Sequence, residues 1–226
     1  MKKSCIFIAA ACTALAAAGC SQKDRQPSID REHVQLYAGE TVRLTADRPV
    51  AWSAADDFYA AVDGEGNVTA RHVGTTTVTA ANDSGSAACT VTVQPRYDTF
   101  IEPAYELIGQ QVSHAEIDAI EQREKIEETK FSIAYKGEQP YIQRVEYFYN
   151  ITDENELNAI TVRFDKGYEI EVKNFLSERY LAVPISTYTI DFYNHYETLA
   201  TVKIAWSNRE QEVILQYGHN SKQIKQ

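Results

Sequence analysis

The chain has 226 residues, in which 32 acidic side chains outnumber 22 Lys and Arg, so its formal net charge is −10 at pH 7. Such an acidic surface repels phosphate backbones, which argues against a nucleic-acid partner. An apolar fraction of 44% is ordinary for a globular protein, and the length suffices for one large domain or two small ones.

The N-terminal segment predicts export. Two lysines precede an apolar run, Cys5 to Ala18, which is too short for a lasting transmembrane helix and is typical of a signal peptide. The run ends in LAAAGC (residues 15–20). This motif resembles the lipobox of bacterial lipoproteins, and the resemblance implies cleavage before Cys20 and lipidation of its thiol. The next residues, SQKD (21–24), are similar to the surface-export signal of Bacteroidetes-type lipoproteins.

The predicted processing sets the first boundaries. Residues 1–19 are the signal peptide and residues 20–32 a lipidated, flexible tether. The leader carries two positive charges, so its removal changes the net charge from −10 to −12. With no other membrane-length apolar run, we expect the lipid to anchor an outer-membrane lipoprotein, exposed on the cell surface.

Cysteine usage predicts a fold without an intramolecular disulfide. Cys5 and Cys12 leave with the signal peptide and Cys20 carries lipid, so Cys89 is alone in the mature chain. Cys89 alternates with two valines, which predicts a small buried hydrophobic residue on the inner face of a strand. A nucleophilic role is the weaker alternative, because no basic partner lies nearby in sequence.

Residues 33–95 have short alternating runs broken by turn residues, the pattern of a small antiparallel β-sandwich. The predicted strands are Val34–Tyr37, Thr41–Ala46, Val50–Ser53, Ala60–Val62, Asn67–His72, Thr75–Ala81 and Ala87–Gln94. The predicted inward residues are Val42, Leu44, Trp52, Val62, Val68, Val78, Cys89, Val91 and Val93. The glycine-containing run 63–67 predicts a tight hairpin.

Five ordered segments carry a family resemblance: GET (39–41), AWS (51–53), VDGEGNVTA (62–70), VGTT (73–76) and CTVTV (89–93). Together they resemble the bacterial Ig-like domain of group 2. The resemblance implies a seven-stranded Ig-type sandwich that serves as an extracellular spacer or adhesion module, and it implies no catalytic residue. Asp63, Glu65 and Asn67 also admit a calcium loop, but they lack the later acidic ligand of an EF-hand and coincide with the hairpin. We therefore expect no metal there.

Residues 96–226 predict an α+β domain. Ser113 and Glu116 form a capping box for a helix that runs to about Lys125, with Ile117 and Ile120 inward. A second helix is predicted from Tyr168 to Tyr180. Three predicted strands follow each helix: Phe131–Lys136, Arg144–Asn150 and Leu157–Phe164, then Ser186–Tyr193, Leu199–Ser207 and Gln211–Tyr217.

The two halves of this domain repeat with an offset of 55 residues, which places Ile117 on Val172 and Tyr135 on Ile190. Ile120 falls on Phe175, and the other matched inward pairs are Ile133 with Tyr188, Tyr147 with Val202, Tyr149 with Ile204, and Ile160 with Leu215. We therefore predict two αβββ units, about 104–164 and 165–218, which form one antiparallel six-stranded sheet with both helices on one face. Segments 102–103, 113–120 and 174–180 also resemble the C-terminal domains of unknown function that accompany such Ig-like modules in Bacteroidetes-type lipoproteins.

Catalytic motifs are absent from the sequence. The five histidines are scattered, and no glycine-rich phosphate loop, nucleophile elbow or dinucleotide fingerprint occurs. Glu121, Glu124, Glu127 and Glu128 alternate with basic residues after the first helix; paired carboxylates could serve a glycosidase, but such a run is more typical of a solvated face. We expect no enzyme activity, cofactor or metal.

The aromatic residues give the best candidate binding surface. Tyr135, Tyr147, Tyr149, Tyr188 and Trp206 have the inward phase and are expected in the core. Phe148 and Tyr193 have the opposite phase, and they form a candidate patch on the open sheet face together with Arg163, Lys203, Asp191 and Glu146. Scattered aromatics without a role are the alternative. The sequence thus predicts a non-catalytic surface lipoprotein that binds a glycan or protein; the alternative is a scaffold or assembly subunit of an outer-membrane complex.

Overall fold

A computed structural model describes residues 25–186, 189–193, 200–207 and 212–219, excepting the side chains of 200–207 and 219. Cys20 and its predicted lipid, Tyr188, and the side chains of Lys203 and Trp206 therefore lie outside the described part. Within that part, no helix has the length and apolar character that crossing a membrane would require.

The first domain is a seven-stranded β-sandwich, as predicted. One sheet has the strand order β1-β7-β6-β3 and the other β2-β5-β4. All pairs are antiparallel except β1 and β7, which run parallel. The strands are β1 (His33–Tyr37), β2 (Thr41–Arg43), β3 (Ala51–Ala54), β4 (Ala60–Val62), β5 (Asn67–Ala70), β6 (Gly74–Asn82) and β7 (Gly85–Gln94).

The core of the sandwich uses the predicted inward residues. Six are buried: Leu44, Val68, Val78, Cys89, Val91 and Val93. Val42, Trp52 and Val62 are partly buried and pack against the same cluster. Burial raises the pKa of the Cys89 thiol, which disfavours the reactive thiolate and supports a packing role.

The predicted hairpin between β4 and β5 is closed by its own side chains. Asp63 Oδ1 accepts hydrogen bonds from the backbone N–H groups of Glu65 and Asn67, each at 2.9 Å, and Asp63 Oδ2 accepts one from the Asn67 amide. Gly66 adopts φ +83°, and a Cβ there would lie 2.5 Å from the Leu44 carbonyl oxygen. The turn therefore requires glycine for both its conformation and its space.

The second domain contains an antiparallel sheet of eight strands in the order β12-β13-β14-β15-β11-β10-β9-β8. Its helices are α1 (His114–Ile120) and α2 (Glu169–Ser177). The strands are β8 (Lys125–Glu128), β9 (Ser132–Tyr135), β10 (Ile142–Asn150), β11 (Asp153–Asp165), β12 (Leu181–Ser186), β13 (Thr189–Tyr193), β14 (Ala200–Ser207) and β15 (Glu212–His219).

This architecture confirms the predicted mainly β, two-domain fold, but each unit has four strands rather than three. The extra strands, β8 and β12, are the two sheet edges. β8 reads KIEE and is exposed throughout, so charge and not hydrophobic alternation marks it, as is usual for edges. The predicted Ser113 capping box is present, but α1 ends at Ile120 instead of Lys125. Ile120 was expected inward and is 52% exposed.

The repeat is real, and it relates the two units by an approximate two-fold axis. β11 and β15 pair antiparallel at the centre of the sheet, where Thr161 lies opposite Gln216. These residues are 55 apart, so each is the other's equivalent. The axis passes between them.

The offset grows to 57 residues in the strands that follow the helices. Tyr135 and Phe192, which pair with Val145 and Val202 in turn, are 57 apart. The reason is that α2 has nine residues and α1 seven. The predicted strand alignments before β11 and β15 were therefore wrong by two residues, which leaves every face assignment unchanged because strand side chains alternate with a period of two.

Both helices pack on the same face of the sheet, as predicted. Ile117 of α1 and Val172, Phe175 and Leu176 of α2 join the inward strand residues in one buried cluster. The expected core tyrosines Tyr135, Tyr147 and Tyr149 are all buried there. The opposite face of the sheet carries the predicted patch.

Candidate functional site

The residues of the predicted patch share the open face but do not converge. Phe148 lies opposite Ala159, which is followed across the sheet by Gly218, Thr201 and Tyr193. The two aromatic residues are therefore four strand spacings apart, or about 19 Å at 4.8 Å per strand.

The polar members of the patch have partners of their own. Arg163 donates to Glu212 at 3.1 Å, and Arg144 donates to Glu146 at 2.9 Å. Tyr193 is buried, whereas Phe148 and Asp191 are half-buried. We conclude that the six residues do not form one pocket, and their role in binding stays a prediction.

A cleft of about 1240 Å³ lies elsewhere, beside the first unit of the repeat. One wall is the segment 101–106 of the connector, which we define as residues 95–106 between the two domains. The other walls are the chain after α1 (120–124), the β9–β10 loop (136–143) and Tyr147 of β10. The cleft is thus framed by chain segments outside the sheet and floored by the sheet.

A buried ion cluster fixes the connector to this wall. Arg123, with a side chain only 4% exposed, donates to Glu121 at 2.8 Å and to Glu138 at 2.5 Å. Arg123 also donates to the carbonyl of Ile101, whose N–H donates to Glu138 at 2.7 Å. The Tyr147 hydroxyl donates to Glu121 at 2.8 Å. The arginine and two glutamates therefore hold Ile101 by both of its backbone groups.

The charges in this cluster reinforce each other. Burial would lower the pKa of Arg123, but the hydrogen bond and charge of Glu138 and the charge of Glu121 raise it. Burial would raise the pKa of Glu138, yet the hydrogen bonds from Arg123 and the Ile101 N–H lower it. All three groups therefore stay ionised at neutral pH.

A carboxyl group surrounded by tyrosines forms the deeper part of the same wall. Glu102 Oε1 accepts hydrogen bonds from the Tyr180 hydroxyl at 2.5 Å and the Tyr217 hydroxyl at 3.1 Å. Tyr105 stacks on Tyr217 with ring centroids 5.4 Å apart. Burial raises the pKa of Glu102, although the two hydroxyl groups oppose this shift.

Glu178 fastens the other end of the connector and joins the domains. Its carboxylate accepts the N–H groups of Arg96 at 2.9 Å and Tyr97 at 3.1 Å. Its carbonyl accepts the N–H of Val73 from the Ig-like sandwich at 2.7 Å. Arg179 pairs with the Glu178 carboxylate at 2.5 Å and donates to the Tyr97 carbonyl at 2.9 Å. The connector is therefore held at both ends by the second domain.

The chemistry of the cleft is that of recognition. It offers carboxylates, glutamine amides, tyrosine rings and exposed isoleucines, the mixture of apolar surface and oriented polar groups that binding sites use. Among the described residues, no group of three or more His, Cys, Asp or Glu side chains could hold a metal ion.

Sequence reasoning missed this cleft because its central residues belong to the charged run after α1. Glu121 and Arg123 were expected on a solvated face and are buried instead. One signal was available: Gln122 and Arg123 follow the end of the apolar helical pattern, where the chain leaves the helix and side chains can turn towards the core. The connector residue Glu102 carries no signal of its own.

Comparisons with known proteins support the first domain. Residues 27–93 match the family described as bacterial Ig-like domain (group 2). A protein of Clostridium acetobutylicum described as uncharacterized is 36% identical over 77 residues, a stretch that covers 29% of this chain and 8% of that protein. The chain therefore spans less than a tenth of the length of this curated relative.

Two solved structures are also similar in outline. Domains 5–6 of the S-layer protein SbsC align over 88% of this chain and 84% of that chain, with 9% identity and a TM-score of 0.26. The titin Ig tandem A164–A165 aligns over 87% of this chain and 82% of that chain, with 11% identity and a TM-score of 0.23. Both scores are far below those of proteins with a common fold. The sequence match, by contrast, is specific: residues 27–93 are a bacterial Ig-like domain of group 2.

Proposed function

We propose that the protein is a non-catalytic cell-surface lipoprotein, in which the Ig-like domain presents the α+β domain to a glycan or protein ligand. The Ig-like domain supports a surface or adhesion-type role. The lipobox-like motif at residues 15–20 supports the anchor, which would lie on Cys20. The connector fastened by Glu178 supports presentation, because it couples the orientation of the two domains.

The observation that carries the binding role is the cleft beside the connector. Its walls are fixed before any ligand arrives, since buried charges hold Ile101 and hydroxyl groups hold Glu102. A preorganised site loses less entropy on binding than a mobile one. The ligand site is therefore placed in this cleft, and no longer in the patch around Phe148.

Two experiments test this function. Cells fed a labelled fatty acid should incorporate label into the protein and not into a Cys20→Ser variant, and protease added to intact cells should remove the wild-type protein. The mature chain, residues 21–226, should then bind ligands on a glycan array or retain envelope proteins. Turnover of substrates in a broad glycosidase and protease panel would refute the non-catalytic role.

The second candidate is a scaffold or assembly subunit of an outer-membrane complex. The wide open face of the eight-stranded sheet favours it, because the half-buried Phe148 and Arg163 give that face the aromatic and arginine content typical of protein interfaces. Stoichiometric capture of membrane proteins, lost on Phe148→Ser but retained on Glu102→Gln, would support assembly. The opposite pattern would support the cleft.

A further inference from the structure

The cleft contains more negative than positive charge. Five glutamates line it, Glu102, Glu106, Glu121, Glu124 and Glu138, against Arg123 and Lys136. Arg123 is fully engaged by Glu121 and Glu138. Three carboxylates therefore face one lysine, within a protein that is itself strongly acidic. This field attracts cations from a distance and repels anions.

Glu102 is the carboxylate with the least compensation. Its two hydrogen bonds both come from neutral hydroxyl groups and both reach Oε1. Among the described residues no Lys or Arg forms a salt bridge with it. A carboxylate that is partly desolvated and lacks a counter-ion favours any ligand that supplies one.

Apolar surface lies in the same cleft. Ile101 is 59% exposed and Ile120 is 52% exposed, and Pro103 and Pro140 line the cleft with them. An arginine or lysine side chain combines a charged head with an apolar stem, so it can cover isoleucine while its head reaches a carboxylate. An amino sugar carries its ammonium directly on a hydroxylated ring and lacks such a stem.

We propose that the cleft binds a basic peptide segment, whose guanidinium or ammonium group pairs with Glu102 while its methylene stem packs on Ile101 and Ile120. This inference rests on the proposed binding function and names its ligand class. The glutamates at the cleft entrance, Glu106 and Glu124, would steer the peptide. Arg123 would remain with its present partners and hold the wall.

The test uses the mature chain, residues 21–226, and two peptides: acetyl-Ala-Arg-Ala-Arg-Ala-amide and the same peptide with citrulline for arginine. Citrulline has nearly the shape of arginine without its charge, so the pair isolates the ion pair. Affinity is measured by titration calorimetry. Hydrogen exchange of segments 101–106 and 120–124 reports whether the peptide occupies the cleft. We expect the arginine peptide to bind at least about tenfold more tightly than the citrulline peptide, as for a charge-assisted contact, and to protect both segments.

Glu102→Gln supplies the matched variant, since glutamine retains a carbonyl oxygen for the Tyr180 and Tyr217 hydroxyls. It should lose at least about tenfold in affinity for the arginine peptide. Glu154→Gln, an exposed carboxylate of the same domain, removes the same unit of charge and should change affinity less than about twofold. A third measurement needs no variant: wild-type affinity should fall as pH is lowered and Glu102 becomes protonated.

Equal affinity for the two peptides, or equal loss in the Glu102 and Glu154 variants, would overturn the cation inference. Protection of the cleft by a glucosamine tetramer, with none by the arginine peptide, would assign the site to amino sugars instead. Protection by a neutral glycan alone would also reject the basic peptide, while the proposed binding function would stand. If neither peptides, array glycans nor envelope proteins protect the cleft, the binding function itself fails.

Discussion

Replacing Arg123 with methionine should destabilise the second domain severely. Methionine fills most of the volume of the arginine stem but cannot donate to Glu121, Glu138 or the Ile101 carbonyl. The two carboxylates would then be left buried and close together, with side chains only 5% and 18% exposed. Glu121 would retain the Tyr147 hydroxyl, and Glu138 the Ile101 N–H.

The magnitude follows from these remaining partners. Each buried acceptor that loses its charged donor costs about 1–3 kcal/mol, and breaking a buried ion pair from one side costs about 3–5 kcal/mol. We expect a loss within that second range at pH 7. The loss should be smaller at pH 4, because protonation of the glutamates removes the uncompensated charge in the variant.

Hydrogen exchange of the β10 amides, Ile142–Asn150, measures the free energy of opening of this domain apart from the Ig-like domain. Lys130→Met, which removes an exposed ion pair with Glu154, should change that free energy by less than about 1 kcal/mol. Adding Glu121→Gln and Glu138→Gln to Arg123→Met should restore much of the loss. If Arg123→Met costs no more than Lys130→Met, the cluster does not hold the cleft wall.

Three further predictions concern a turn, the connector and Glu102. Gly66→Ala should unfold the Ig-like domain at about 2 kcal/mol less than Gly39→Ala in urea, because both glycines have positive φ but only Gly66 meets a backbone atom; equal midpoints would reject the clash. Glu178→Gln replaces one of two acceptors by a donor, so exchange of the Arg96 and Tyr97 amides should accelerate at least about tenfold, and unchanged rates would show that the connector does not depend on it. Because the folded pKa of Glu102 is raised above its model value of 4.5, wild-type stability should fall as pH rises from about that value through the folded pKa. Glu102→Gln should flatten this part of the stability curve, and an unchanged slope would contradict the assignment.

The sequence predicts the sandwich well because its strands obey one rule throughout. Val68, Cys89 and Val91 alternate with polar residues, and turn glycines separate the strands, so local pattern and tertiary burial agree. The repeat in the second domain was detectable for the same reason. Its register was not, because the two additional residues of α2 leave no mark in a pattern with a period of two.

The cleft escapes prediction for a different physical reason. Burial of Glu121 and Arg123 depends on contacts with Glu138 and Ile101, which are distant in sequence, and no local periodicity encodes such pairings. The edge strand β8 fails similarly: its exposed charges resemble a loop or helix end, and only pairing with β9 makes it a strand. Charged residues that satisfy one another are invisible to a hydrophobic pattern.

The repeat explains why one connector serves both presentation and binding. Glu121 and Glu178 are the C-caps of α1 and α2, and they are 57 residues apart, the offset of the strands that follow. Each is buried and pairs with an arginine, Arg123 or Arg179, that donates to a connector carbonyl. Duplication has therefore produced two equivalent clamps on a single segment.

The two clamps differ in what lies beyond the connector. Beyond the Arg179 clamp lies the Ig-like domain, whose Val73 N–H reaches the Glu178 carbonyl. Beyond the Arg123 clamp lies the cleft, in which Ile101 and Glu102 line one wall. A ligand in the cleft therefore touches the same short segment that orients the Ig-like domain, and it can sense or alter the domain arrangement only through residues 97–101. Coupling between the ligand and the domain angle should consequently disappear in Glu178→Gln while the affinity of the cleft is retained, and a parallel loss of affinity would show that the two clamps are not separable.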